Sequence, residues 1–210
     1  MPLQNRVTPF GEILALPGRG LLCGNRGILH DDHRRIVRFS QCRRWIACAL
    51  EYREIRRTPM TPHTWTELFF LDEATAFSAG HRPCAECRRA DYNRYKAMWE
   101  GVHGDPVSAD VIDRRLQADR GGVRRKRTYE ANLQDLPDGT FVALNGDALL
   151  VWDAHLYTWS DAGYTTRRPR QRTRDVEVLT PHCTVAILAA GYRPLVHPSA
   201  SPLLRPSSDR

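Results

Sequence analysis

Cys84-Ala85-Glu86-Cys87 sets two thiols three positions apart. On a tight turn that spacing lets both sulfurs reach one ion, which is half of a tetrahedral zinc site. The competing chemistry for a Cys-x-x-Cys pair is a redox disulfide, which calls for a strand before the pair and a helix N-terminus after it. Residues 88–100 read as a helix, but the residues ahead of Cys84 read as a helix ending in an Arg82-Pro83 turn rather than as a strand. Zinc is therefore preferred, as a structural ion, with Cys84 and Cys87 as ligands. The remaining cysteines are Cys23, Cys42, Cys48 and Cys183. The N-terminus, MPLQNRVTPFGEI, has no basic region leading into an apolar core, so no secretory signal is read there. The expected compartment is the cytoplasm, where thiols stay reduced and disulfides are not expected. No run approaches the about 18 apolar residues of a membrane span. Cys183, beside the apolar stretch TVAILAA, reads as a small buried hydrophobe.

The second chemical signal is positive charge. The net charge is +7, carried almost wholly by arginine, since Lys96 and Lys126 are the only lysines. Arg34, Arg35, Arg38, Arg43, Arg44, Arg53, Arg56 and Arg57 crowd one stretch, opposed only by Glu51 and Glu54. Arg120, Arg124, Arg125, Lys126 and Arg127 form a second cluster, and Arg167, Arg168, Arg170, Arg172 and Arg174 a third, neither holding an acid. A GC-rich genome would explain arginine over lysine, but not the segregation from acids. Guanidinium groups fork onto phosphate oxygens, so these clusters point to nucleic acid, DNA in the first instance. Candidates for acid, base or nucleophile are few. Glu67 stands at a strand start, Asn25 opens the Asn25-Arg26-Gly27 turn, and Pro2 would become a secondary amine if Met1 were removed. No phosphate-binding glycine loop is present.

These groups need elements to hold them. A short strand is expected near residues 11–16, then alternating stretches 27–38 and 44–52, which read as a hairpin. Residues 65–71 read as a buried aromatic strand. Asp72 is a good N-cap for a helix that Gly80 stops. In residues 88–100 the apolar stripe Tyr92, Tyr95, Met98, Trp99 has helical spacing. A third helix runs from Ser108 to about residue 120 and enters the basic loop 121–127. Strands follow at 140–144 and 148–153 across Asn145-Gly146, a strong hairpin signal, and at 155–160. A basic loop over 165–174, a strand at 176–179 and a helix begun by Thr180-Pro181 and ended by Gly191 complete the chain. AFSAGHRPC and ILAAGYRPL echo each other (residues 76–84 and 187–195), and a shared way of ending a helix accounts for that.

The order Phe69-Phe70-Leu71-Asp72-Glu73-Ala74, then Ala79-Gly80-His81-Arg82-Pro83-Cys84 and Cys87, resembles the metal-binding module of the Ada-type methyl-phosphotriester repair family. The likeness covers residues 66–88. It implies a zinc-stabilised DNA-binding ribbon and two further ligands upstream. In the family those are a closely spaced cysteine pair; here Cys42 and Cys48 are farther apart, and the motif of the family's methyl-accepting thiolate is missing. Pairing 27–38 with 44–52 across a turn near Ser40 would set His30 opposite Cys48 and close a Cys₃His site of Cys84, Cys87, Cys48 and His30. Cys42, Cys23, His33 and His81 compete for the two upstream places.

The expected fold class is α+β: a small Ada-like zinc-ribbon region with helices, then a β-rich C-terminal part ending in a helix. The expected divisions are a zinc-binding region at 1–104, a helical basic connector at 105–134, a β-rich region at 135–196 and a disordered tail at 197–210. The expected function is zinc-containing nucleic-acid binding, with DNA processing or repair of the glycosylase, nuclease or alkyl-transfer type. A non-catalytic DNA- or RNA-binding protein, or a zinc-stabilised protein-interaction module, fits the same features.

Overall fold

Short β-rich stretches separated by glycine and proline pair into two six-stranded sheets in the computed structural model, which describes residues 1–53, 58–104, 106–121, 126–171 and 174–201. The first sheet holds β1 (Arg6–Val7), β2 (Ile13–Leu14), β3 (Leu22–Asn25), β4 (Ile46–Ala49), β5 (Leu68–Phe70) and β6 (Arg82–Pro83), in the order β2-β1-β5-β3-β4-β6. The second holds β7 (Tyr129–Asn132), β8 (Phe141–Leu144), β9 (Asp147–Trp152), β10 (His155–Ser160), β11 (Gly163–Pro169) and β12 (Asp175–Val178), in the order β11-β10-β9-β8-β12-β7. The β8–β9 hairpin turns at Asn145-Gly146, both at positive φ, as that dipeptide predicts. β9 buries both faces: Ala148 and Leu150 enter one core, Leu149 and Val151 another, which is why its sequence is a continuous apolar run.

The helices are α1 (Glu73–Ser78), α2 (Arg89–His103), α3 (Ala109–Arg120) and α4 (His182–Ala189). Asp72 caps α1 by accepting the Thr75 N–H, and Ser108 caps α3 by accepting that of Val111. All four helices contribute to one core, in which Phe77, Tyr95, Trp99, Leu116, Ile187 and Tyr192 meet. The two echoed segments end their helices alike. Gly80 N–H bonds Phe77 O and His81 N–H bonds Ala76 O; Gly191 N–H bonds Leu188 O and Tyr192 N–H bonds Ile187 O, with both glycines at positive φ. That is a left-handed glycine cap used twice. Among the described residues, no helix is long and apolar enough to cross a membrane.

Asp72 and Glu73 join the early and late parts of the chain. Asp72 accepts the Tyr164 hydroxyl and the His197 N–H through Oδ2. Glu73 accepts the Tyr192 hydroxyl, the Leu195 N–H and the Arg88 guanidinium. Burial raises both carboxyls above their ordinary range.

Several expectations need correction. The hairpin is formed by β3 and β4, not by residues 27–38 and 44–52. Gly27 and Arg34 adopt positive φ, and a turn anchored on Asp31, which accepts the His33 and Arg35 N–H groups, interrupts the alternating stretch. Residues 165–169, expected within a basic loop, belong to β11 (Gly163–Pro169), because His155 to Tyr157 supply a ladder for Arg167 to Pro169. The expected tail begins in order. His197 N–H is held by Asp72, Ser199 Oγ accepts the Tyr164 N–H, and Ala200 is buried; residues 202–210 lie outside the described residues.

Gly24 is a test of the first sheet. A Cβ there would stand 2.0 Å from Ile46 O, on the strand that pairs with it. Gly24→Ala is expected to separate β3 from β4 and to lower the urea midpoint by several tenths molar or more, since an overpacked site costs about 1–3 kcal/mol. An unchanged midpoint would show that this ladder adapts.

Candidate metal centre

Two neighbouring strands bring the sulfurs together. β4 carries Cys48, and β6 runs parallel beside it, with Ala47 paired to Pro83, so that Cys84 N–H bonds Ala47 O at 2.9 Å. The chain then turns, Arg88 N–H returning to Cys84 O at 3.2 Å, and α2 begins. The turn swings Cys87 back toward β4. As a result the sulfurs of Cys48, Cys84 and Cys87 all lie within 4.8 Å of one another. Backbone donors support two of them: Ala49 N–H points at Cys87 Sγ (3.4 Å) and Glu86 N–H at Cys84 Sγ (3.5 Å). N–H groups aimed at sulfur favour the thiolate, the form that binds metal.

The protonation pattern agrees. A hydrogen bond from Cys48 lowers the Cys84 thiol to about 5 and lowers Cys87 as well, while Cys48 itself is raised by bonding to both. Three soft sulfur donors on a tight turn and an adjacent strand fit zinc, so the residues present suit the ion that the sequence suggests. Cys84, Cys87 and Cys48 are thus the expected ligands that the fold assembles.

His30 is not among them. The β3–β4 register sets Cys23, not His30, opposite Cys48. His30 lies past the end of β3, buried, with Nδ1 2.6 Å from Thr66 Oγ1 and Nε2 3.1 Å from Thr61 O. His81 is also outside the cluster. It is buried between Trp45 and Phe70, its Nε2 accepts from Arg26, and burial pushes its pKa well below the ordinary value. Cys42 and His33 are exposed. Cys23 is the further cysteine on the metal-centre face. Its thiol donates to Ala49 O at 3.1 Å, and burial, then the charge of Cys87, raises it to about 12.

Side chains alternate across a strand, so the pairing of Cys23 with Cys48 and with Phe69 puts these three in a row on one face. Asn25, two residues beyond Cys23, and Glu67, two before Phe69, share that face. A cavity of about 320 Å³ opens over it, lined by the cysteines, Asn25, Glu67, Phe69, Tyr52 and Trp65 among others. Glu67 is buried, and its Oε2 accepts the Met60 N–H at 2.7 Å. Two of the three catalytic candidates, Asn25 and Glu67, therefore meet at the cysteine cluster. Pro2 is exposed and lies outside that lining.

The basic residues divide. Arg43 and Arg44 have exposed side chains on a backbone that is pinned from below: Arg120 donates to Arg43 O, and Trp45 Nε1 to Cys42 O. Both line a groove of about 950 Å³ that shares Asn25, Ile46, Trp65, Cys84 and Glu86 with the cavity. Arg34 is exposed, and Arg35 pairs with Asp31 at 2.7 Å. Lys126, expected on phosphate, instead turns inward to Pro9 O and Ser78 Oγ, and burial lowers its pKa well below the ordinary value. Arg127 donates to Ala118 O, and Arg170 to Leu133 O and Leu136 O, so both are used in holding the fold. Arg167 and Arg168 are half-buried on β11. Arg124 and Arg125 lie outside the described residues.

Comparison with family models, curated proteins and solved structures gave no match for this chain. What the fold and the site define is a mixed helix-and-sheet protein with a three-cysteine cluster, able to hold a metal ion, beside an open cavity.

Proposed function

We propose that this chain is a zinc-containing, nucleic-acid-binding protein of the cytoplasm, acting on DNA as a processing or repair protein. The observation that carries this reading is the continuity of the site. The Cys48, Cys84 and Cys87 cluster shares one cavity with Glu67 and Asn25, and that cavity adjoins the groove edged by Arg43 and Arg44. The likeness of residues 66–88 to the Ada-type ribbon belongs to the same reading. When bound, zinc would fix the turn after β6 to β4. Arg43 and Arg44 would then hold phosphates at the groove edge while Asn25 and Glu67 face whatever enters the cavity. Phosphate contacts position a nucleic acid without reading its sequence.

Arg43→Ala/Arg44→Ala is the test. The double variant is expected to bind duplex and single-stranded DNA more weakly whatever the sequence. The plot of log affinity against log salt should flatten by about 0.7–0.9 for each phosphate that is no longer neutralised. Fluorescence anisotropy over a series of salt concentrations measures both. Unchanged affinity and slope would remove this groove as the nucleic-acid interface. Binding of the parent that ignores salt altogether would favour a protein partner instead.

A further inference from the structure

The cavity beside the cysteines has a lining of its own to explain. Glu67 is only 6% exposed, yet among the described residues no arginine, lysine or histidine forms an ion pair with it. Its Oε2 accepts the Met60 N–H. A carboxylate can accept about four hydrogen bonds, so Glu67, which lines the cavity, keeps acceptor capacity toward it. Asn25 stands on the neighbouring strand and the same face. Its Oδ1 accepts the Gly27 N–H at 3.3 Å, which leaves the Nδ2 amide hydrogens to be donated. The two side chains together offer several acceptor sites next to a donor. Phe69 and Pro59 supply apolar walls, and about 320 Å³ suits one heterocycle rather than a length of polymer.

We propose that this cavity is a binding site for a guanine base, with Glu67 accepting from the ring N1–H and the exocyclic amine and Asn25 donating to O6. The choice follows from the order of groups along each base edge. Guanine presents two adjacent donors followed by an acceptor. Adenine and cytosine present one amine beside a ring nitrogen whose lone pair would face the carboxylate. Uracil and thymine present one N–H between two carbonyls. Only guanine gives both Glu67 oxygens a donor and Asn25 an acceptor.

The base could come from a free nucleotide or from a strand that has turned one base outward beside the Arg43–Arg44 groove. The second source rests on the nucleic-acid reading above; the edge chemistry does not.

Calorimetric titration of the zinc-loaded full chain with GMP, AMP, CMP and UMP, and with short single strands holding one guanine or none, separates these cases. The expected result is GMP bound tighter than the other three by about tenfold to a hundredfold, the range set by hydrogen bonds to a charged group. Glu67→Gln puts an amide donor where guanine has donors, so it should erase that preference while zinc content stays at the parent level. Glu67 also holds the Met60 turn. Asn25→Ala, at a less buried position, is therefore the second variant, and it too should reduce the GMP preference. If no mononucleotide binds, or all four bind alike, or both variants keep the GMP preference, the proposal is overturned. Oligonucleotide binding with no guanine preference would overturn the pocket and leave the nucleic-acid reading standing. GMP preference without oligonucleotide binding would support the pocket and remove that reading.

Discussion

Cys84→Ser and Cys87→Ser are each expected to lose stoichiometric zinc and, with it, most of the stability of the first sheet. The reason is that a thiolate site assembled by the fold couples its metal affinity to folding. Structural zinc contributes on the order of 10 kcal/mol, about as much as the whole of an ordinary domain's stability. Here the ion would bind β4 to the turn after β6, a junction otherwise made by two short strands. Elemental analysis and urea unfolding of the reduced protein, with and without a chelator, measure the two effects. Cys48→Ser should behave the same way. Cys42→Ala, exposed, and Cys183→Ala, packed in the helical core, should keep the metal. Cys23 is the informative intermediate, because it faces Cys48 across the β3–β4 ladder. Substituting cobalt for zinc and comparing the parent with Cys23→Ser reports whether a fourth sulfur joins the ion, since each thiolate adds to the sulfur-to-cobalt absorption. A parent protein purified without zinc, or a Cys84→Ser variant as stable as the parent, would sink the metal centre.

The parts of this fold that were legible in the sequence are those decided within a few residues. Asp72, Gly80 and Ser108 begin or end helices by satisfying nearby backbone groups, and Asn145-Gly146 turns a hairpin by its own φ preference. Cys84 and Cys87 were legible as a candidate metal-ligand pair for the same reason, because their spacing alone lets two sulfurs reach one ion. Their partner Cys48 sits where expected, but its neighbour could not be read correctly. The strand that faces it, Leu-Cys-Gly-Asn, has little β-propensity, and what holds it is burial of Leu22 against Phe70 and a glycine too close to Ile46 O for any side chain. The apolar alternation in residues 27–38 suggested a strand, but it is broken by two residues at positive φ and a turn on Asp31.

The arginines mislead in a second way. Composition presents them as surface charge, yet Arg26, Arg82, Arg88 and Arg120 are buried. Arg26 and Arg120 both lie over the ring of Trp45, at 4.0 and 3.9 Å, and Arg82 forks onto Asp113. Guanidinium is weakly hydrated and flat, so it can be buried on an aromatic face in a way that lysine cannot. Part of the basic excess therefore holds the scaffold together, and the buried Arg120 donates to Gly80 O and Arg43 O, fixing the backbone from which the exposed Arg43 side chain projects.

Glu73→Ala is expected to be among the most destabilising changes in the chain, by about 3 kcal/mol, since it leaves several buried donors short of an acceptor at about 1–3 kcal/mol each. Glu73 looks from the sequence like an acidic residue in a first helical turn. In the fold it is fully buried and receives Arg88 at 2.7 Å, the Tyr192 hydroxyl at 3.1 Å and the Leu195 N–H at 2.9 Å. Its removal leaves Arg88 with Asp91 as its remaining carboxylate, takes the acceptor from the buried Tyr192 hydroxyl and the Leu195 N–H, and loosens the segment after α4. The pH dependence has a definite sign. Burial outweighs the attraction of Arg88 and raises the Glu73 carboxyl above its ordinary 4.5, so the folded chain holds that proton more tightly than the unfolded chain. The stability this contributes is complete below pH 4.5 and declines as pH rises through the higher folded value. Glu73→Gln cannot titrate, so its unfolding free energy plotted against pH should lack that downward segment, while Glu73→Ala should be weak at every pH. Arg35→Ala, which breaks the exposed pair with Asp31, is the comparison and should leave the urea midpoint where it was. Should Glu73→Ala fall no further than Arg35→Ala, the junction between the first sheet and the C-terminal segment would have to rest on Asp72, through its bonds to Tyr164 and the His197 N–H, and on the Glu73–Leu195 backbone bond.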